Sequence, residues 1–126
     1  MTIIGIDHIN IRTSALAETI TFYEQVLGLK AAPPPHMDPL RNAWLYDEKG
    51  RPLVHINMPA PGEAEPPLEG LSRLNHVAFQ CSGFAAMLET LNRADIPHRL
   101  SGGDGRMRQI FLHDPNGIRL ELNFPE

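Results

Sequence analysis

Apolar and polar positions alternate along "GIDHINI", residues 5–11. A period of two is that of a strand. It sets Ile6, His8, Asn10 and Arg12 on one face and Asp7, Ile9 and Ile11 on the other. The period then changes. Leu16, Ile20, Tyr23 and Leu27 recur at spacings of three and four, which predicts an amphipathic helix. Ser14 stands where an N-cap is expected, and Gly28 where the helix should close. Alternation returns in "NAWLYD" (42–47) and "PLVHINM" (52–58), on either side of the turn "DEKGRP". A shorter strand is expected around 29–33.

The same order then repeats. Displaced by 68 residues, the spacing of His8 and His76, "DHINIRTSALAETITFYEQVL" (7–27) overlies "NHVAFQCSGFAAMLETLNRAD" (75–95). Both segments open polar–His–aliphatic. Ser82 matches Ser14 as a cap, Phe84, Met87, Leu88 and Leu91 mark the second helix, and Pro97 ends it. "RQIFLHD" and "IRLELNF" follow as strands about "DPNG", a strong turn signal, with a further strand expected around 98–101. Each half reads β–α–β–β–β. The fold class is therefore α+β: two tandem βαβββ modules, 1–58 and 71–126, descended from a duplication. The proline-rich stretch 59–70 joins them.

The first and last strand of each module share a further property. One face is mainly apolar and suits packing against a helix. The other centres on a chemically versatile residue. In "PLVHINM" that face holds Leu53, His55 and Asn57. In "LNHVAFQC" it holds Leu74, His76, Ala78 and Gln80, and in "IRLELNF" Arg119, Glu121 and Asn123. With His8 these give three imidazoles and one carboxylate at matching repeat positions. If each sheet curls, they face a common cavity. Such a set binds Zn, Ni, Co, Mn or Fe. A buried Glu121 would be costly unless paired or metal-bound.

Composition narrows the class. Of 126 residues 21% are charged, the net charge is −4, and no basic run points to nucleic acid. The single cysteine, Cys81, excludes a disulfide framework and fits a reducing compartment. It alternates onto the helix-facing side of its strand, as a core residue. "MTIIGIDHIN" lacks the pattern of a signal peptide, and no apolar run is long enough for a bilayer. A cytoplasmic protein with no membrane partner is the expectation.

These residues resemble the vicinal oxygen chelate superfamily, which includes glyoxalase I, methylmalonyl-CoA epimerase, extradiol dioxygenases, fosfomycin-resistance proteins and bleomycin-binding proteins. "DHINIRTSALAETITFYEQVLGLK" looks like the family's opening strand and helix, "NHVAFQC" like the start of its second module, and "FLHDPNGIRLELNF" like its closing hairpin. The resemblance implies a single glyoxalase-like domain in which the modules form a curled mixed sheet around a metal cavity. It also implies a homodimer whose partner modules complete each site. Carried over by position, the ligands are His8, His55, His76 and Glu121. The place of His55 is commonly Glu in glyoxalase I, where it also takes the substrate proton; His here leaves the base as either Glu121 or an unligated His55. Arg12 matches an arginine that holds a glutathione carboxylate, while Pro59 stands where a second anchor is typically Asn.

The resemblance is strongest to the glyoxalase I branch. It implies a lactoylglutathione lyase-like enzyme acting through a metal-bound enediolate on a small substrate, anionic or a glutathione adduct. The alternatives are ring cleavage with Fe(II) held by His8, His76 and Glu121, thiol transfer of the fosfomycin-resistance type, and drug binding without catalysis. Arg12, Arg106, Arg108 and Arg119 are candidates to favour an anion. Arg12, Arg108 and Trp44 are the chosen substrate contacts, and Asn57 or Asn10 the expected partner of His55.

Overall fold

The structure is a computed structural model that describes residues 1–2, 4–64 and 75–125. The chain divides into two compact units, residues 1–66 and 67–126. The second part of the expected linker, 65–70, and Leu74 lie outside the described residues.

The first unit runs β1 (Ile9–Arg12), α1 (Leu16–Gln25), β2 (Lys30–Ala32), β3 (Asn42–Tyr46), β4 (Pro52–Asn57). Its sheet has the order β1-β4-β3-β2. β1 and β4 are parallel, with Asn10 opposite His55 and Arg12 opposite Asn57, and the other pairs are antiparallel. The second unit repeats this with β5 (Val77–Gln80), α2 (Phe84–Arg93), β6 (Arg99–Gly103), β7 (Arg106–His113) and β8 (Arg119–Phe124), in the order β5-β8-β7-β6. Ala78 lies opposite Glu121 across the parallel pair, as Asn10 does opposite His55. Two βαβββ modules are thus present, and the segments at 29–33 and 98–101 are strands.

The alternation read from the sequence is the alternation of burial. Val54 and Ile56 are fully buried on β4, as are Leu120, Leu122 and Phe124 on β8, while His55 and Glu121 between them are part-exposed. Burying each such apolar side chain contributes roughly 1.5–3 kcal/mol. That fixes which face of each strand turns away from the helix, because a slip of one residue would expose the whole apolar set. α1 buries Thr19, Phe22 and Tyr23, and α2 buries Leu91.

Three local expectations are corrected. β1 begins at Ile9 and β5 at Val77, so His8 and His76 stand immediately before their strands. The N-caps are Ala15 and Gly83, one residue beyond Ser14 and Ser82. At the first, Thr13 accepts from the Ala15 amide at 3.0 Å through its hydroxyl, so the turn is closed from one residue earlier. α2 stops before Pro97: Asp95 turns left-handed (φ 54°), and the amides of Asp95 and Ile96 bond back to the carbonyls of Asn92 and Leu91. Gly28 does close the first helical segment, at φ 74°, its amide bonded to the Glu24 carbonyl.

Two turns hold the strand pairs. Asp114, nearly buried, accepts from the amides of Asn116 and Ile118 through Oδ1 and closes "DPNG". In the β6–β7 hairpin Gly102 has φ 81°, and a Cβ there would lie 1.9 Å from the Met107 carbonyl oxygen. Only glycine fits this irregularity in the strand register.

Candidate metal centre

Each module brings two of the four nominated residues together. In the first, Trp44 lies opposite His55 on β3 and stacks on it, ring centres 4.7 Å apart and planes 13° apart. His8 meets the same indole edge-on at 4.8 Å. Trp44 therefore touches both histidines. In the second module His76 Nε2 lies 3.2 Å from Glu121 Oε2, and the Glu121 side chain is only 15% exposed. Among the described residues no three His, Cys, Asp or Glu side chains gather as a ready-made cage.

The hydrogen bonds determine which ring nitrogens remain available. His8 Nδ1 lies 2.6 Å from Asp7 Oδ1, so Nδ1–H donates to the carboxylate and Nε2 keeps its lone pair. His76 repeats this: Nδ1 donates to Asn75 Oδ1 at 2.9 Å. His55 uses its other nitrogen. Asn42 Nδ2 donates to the Asp38 carbonyl at 3.1 Å, which turns Asn42 Oδ1 toward His55 Nε2, 3.2 Å away. Nε2–H is then the donor, and Nδ1 carries the lone pair. Each imidazole is thus oriented by an oxygen acceptor on one side with a basic nitrogen on the other, the arrangement that prepares a histidine to ligate.

Burial pushes the His55 pKa down, and the neighbouring His8 lowers it further. His55 is accordingly neutral at pH 7. Glu121 is held from the side opposite His76. Gln109 Nε2 donates to Glu121 Oε1 and to Asn123 Oδ1, both at 2.9 Å. That fixes the carboxylate plane and leaves Oε2 facing His76. His76 Nε2 and Glu121 Oε2, 3.2 Å apart, are close enough to share a cation. A proton is one such cation. A divalent metal is another, since two ligands each about 2.1 Å from one ion and roughly 90–110° apart are spaced about 3.0–3.4 Å. The His76–Glu121 pair is spaced as two ligands of such an ion would be.

Asn42 and Gln109 were not found by sequence reasoning. They occupy matching positions on β3 and β7, opposite Asn57 and Asn123. The expected partners of His55 play another part: Asn10 Nδ2 donates to the His55 carbonyl at 3.1 Å and to Asn57 Oδ1 at 2.9 Å, which ties β1 to β4.

The nominated arginines separate. Arg12 is held by Glu63, Nη1 to Oε1 at 2.6 Å, and the other Glu63 oxygen accepts from the Ala60 amide. These bonds, the Ala60 amide foremost, lower the Glu63 pKa. Arg108 lies on the wrong side for a contact beside Glu121. It shares the face of buried Ile110 and Leu112, and its guanidinium sits 4.6 Å from the centre of the Phe84 ring of α2. Arg106 has the same parity. Cys81 is half-buried, and burial pushes its thiol pKa up, which fits a packing role.

The profile of the Glyoxalase/Bleomycin resistance protein/Dioxygenase superfamily matches residues 5–122, and the chain belongs to this superfamily. The chain is similar to "Glyoxylase I 4" of Arabidopsis thaliana, 24% identical over 121 residues, which cover 94% of this chain and 69% of the relative. Among solved structures, a glyoxalase/dioxygenase from Nostoc punctiforme matches with a TM-score of 0.75 and 19% identity, covering 98% of this chain and 92% of its own. A lactoylglutathione lyase from Agrobacterium tumefaciens matches with a TM-score of 0.69 and 17% identity, covering 99% and 96%. At these identities the structural likenesses establish the fold. Among the described residues no helix is long and apolar enough to cross a membrane.

Proposed function

We propose that this chain is a divalent-metal-dependent enzyme that moves a proton between adjacent carbons of a small carbonyl substrate, in the manner of glyoxalase I. His8, His55, His76 and Glu121 would hold one ion, supplied by one chain or by two copies in a homodimer. The observation that carries the reading is the orientation of the imidazoles. Each has one ring nitrogen beside an oxygen of a neighbouring side chain, and the other nitrogen of His76 lies 3.2 Å from Glu121 Oε2.

When bound, the ion would act as a Lewis acid on vicinal substrate oxygens. The chain's own groups supply the proton transfer. A histidine that ligates gives up the one lone pair a base needs, whereas a carboxylate oxygen that ligates keeps a second, so the carboxylate of Glu121 would be the acceptor. It takes the proton from the carbon next to the carbonyl and returns it to the neighbouring carbon, with no net change of oxidation state. Gln109 keeps Oε1 occupied and so aims Oε2. Trp44 supplies an apolar wall next to the two first-module histidines.

The test uses the single tryptophan. Metal-free protein is titrated with Zn, Ni or Co while Trp44 emission is followed, and the loaded protein is assayed with the hemithioacetal of methylglyoxal. A saturable emission change near one ion per site, with turnover that Glu121→Gln abolishes, supports the reading. An unchanged emission with no uptake would remove the ion, and uptake without turnover would remove the reaction.

A further inference from the structure

We infer that the substrate carries an anionic group, a carboxylate, and that Arg99 and Arg119 receive it; this rests on the reading that Glu121 marks the substrate side of its sheet. The two arginines converge on one ring. Arg99 lies opposite Phe111 in the β6–β7 pairing, and Phe111 lies opposite Glu121 in the β7–β8 pairing. The guanidinium of Arg99 is 4.7 Å from the Phe111 ring centre, and that of Arg119 is 5.8 Å away. Alternation along β8 puts Arg119 on the face of Glu121, two residues before it. A single row across the sheet therefore reads Glu121, Phe111, Arg99, with Arg119 at its side.

The face is left electrostatically uncompensated. Among the described residues neither Arg99 nor Arg119 forms an ion pair. The nearest carboxylate in the row, Glu121, is engaged by His76 and Gln109. Arg99 on β6 and Arg119 on β8 reach the Phe111 ring from the strands on either side of β7, so an anion beside that ring would be met by positive charge from both sides. Contact with the Phe111 ring restricts both side chains before the ligand arrives, which reduces the ordering cost of binding. Two of the other candidate cations are committed elsewhere. Arg12 is neutralised by Glu63, and Arg108 lies on the helix side over Phe84. This assigns the anion contact to the second module, where the sequence had pointed to Arg106, Arg108 and Arg119 but not to Arg99.

The experiment compares two 2-oxoacids by calorimetry on Zn-loaded protein. 2-Oxoglutarate has vicinal oxygens at one end and a distal carboxylate at the other; 2-oxovalerate lacks the distal group. Metal uptake is measured first. Wild type is expected to bind 2-oxoglutarate at least tenfold more tightly, and Arg99→Gln and Arg119→Gln are each expected to cut that preference to threefold or less with metal uptake unchanged. Arg99→Lys, which keeps the charge but loses the planar fork, should retain part of it. Equal binding of the two acids by wild type would overturn the proposal. If the protein takes up no metal, the earlier reading fails, and glutarate titrated into metal-free wild type and Arg99→Gln decides this one: binding lost in the variant supports the anion contact, and equal or absent binding refutes it.

Discussion

Replacing Gln109 with leucine removes the two bonds that hold Glu121 and Asn123 while keeping a side chain of similar volume. Gln109 donates at 2.9 Å to a carboxylate that is 15% exposed. A hydrogen bond to a charged group is worth about 1.5–3 kcal/mol. His76 still engages the other oxygen, so the lower end applies, about 1.5 kcal/mol in the metal-free protein. For a chain of this length that corresponds to a fall in Tm of roughly 5–8 °C. If Glu121 is a ligand, the same change also releases the carboxylate plane. Losing such an orienting partner lowers metal affinity about 10–100-fold, or about 1.4–2.7 kcal/mol. The two effects are read separately, by thermal unfolding of the metal-free variant and by competition with a chromogenic chelator. The reasoning fails if Tm drops as expected while the metal Kd stays within twofold of wild type. Gln109 would then brace the sheet, and Glu121 would not ligate.

Other consequences follow from the same geometry. His55 is depressed below its ordinary pKa, so the unfolded state binds more protons than the native one. The stability this gives the metal-free protein is full above the unfolded value, about 6.5, and is lost as pH falls through the folded value. Urea midpoints should therefore fall more between pH 7.5 and 5.5 for wild type than for His55→Asn; equal slopes would contradict the assignment. Gly102→Ala should destabilise by more than about 2 kcal/mol, because the new Cβ meets backbone at 1.9 Å at a left-handed φ. A denaturation midpoint like that of wild type would disprove the clash. Asp95→Gly should instead gain about 0.5–1 kcal/mol, by relieving a left-handed residue at the end of α2; a loss of stability would show that the Asp95 side chain has a role of its own.

The periodicity of two made most of the first and last strands legible, and with them His55 and Glu121. Once one face is buried, its neighbours must turn the other way. The orienting partners Asp7 and Asn75 were visible as the polar residue before each histidine. Asn42 and Gln109 were not, because their roles depend on which residue lies opposite which across two strands. Arg108 was misplaced for a reason the sequence contained: it has the parity of Ile110 and Leu112, but the glycine-rich hairpin hid where the strand begins. Arg99 escaped notice because its strand has little apolar alternation and is legible only through its pairing with Phe111. Ser14 and Ser82 carry good capping chemistry, yet the helices start one residue later. Backbone geometry at Gly83 and the Thr13 hydroxyl at Ala15 decide those positions.

The most direct test of the central claim is the metal content of untagged protein purified without chelators, beside Glu121→Ala. The account predicts close to one divalent ion per site in wild type and a loss of most of it in the variant, with Trp44 emission shifting in step. An equal metal content in the two proteins would contradict it, and so would the absence of metal from both after reconstitution.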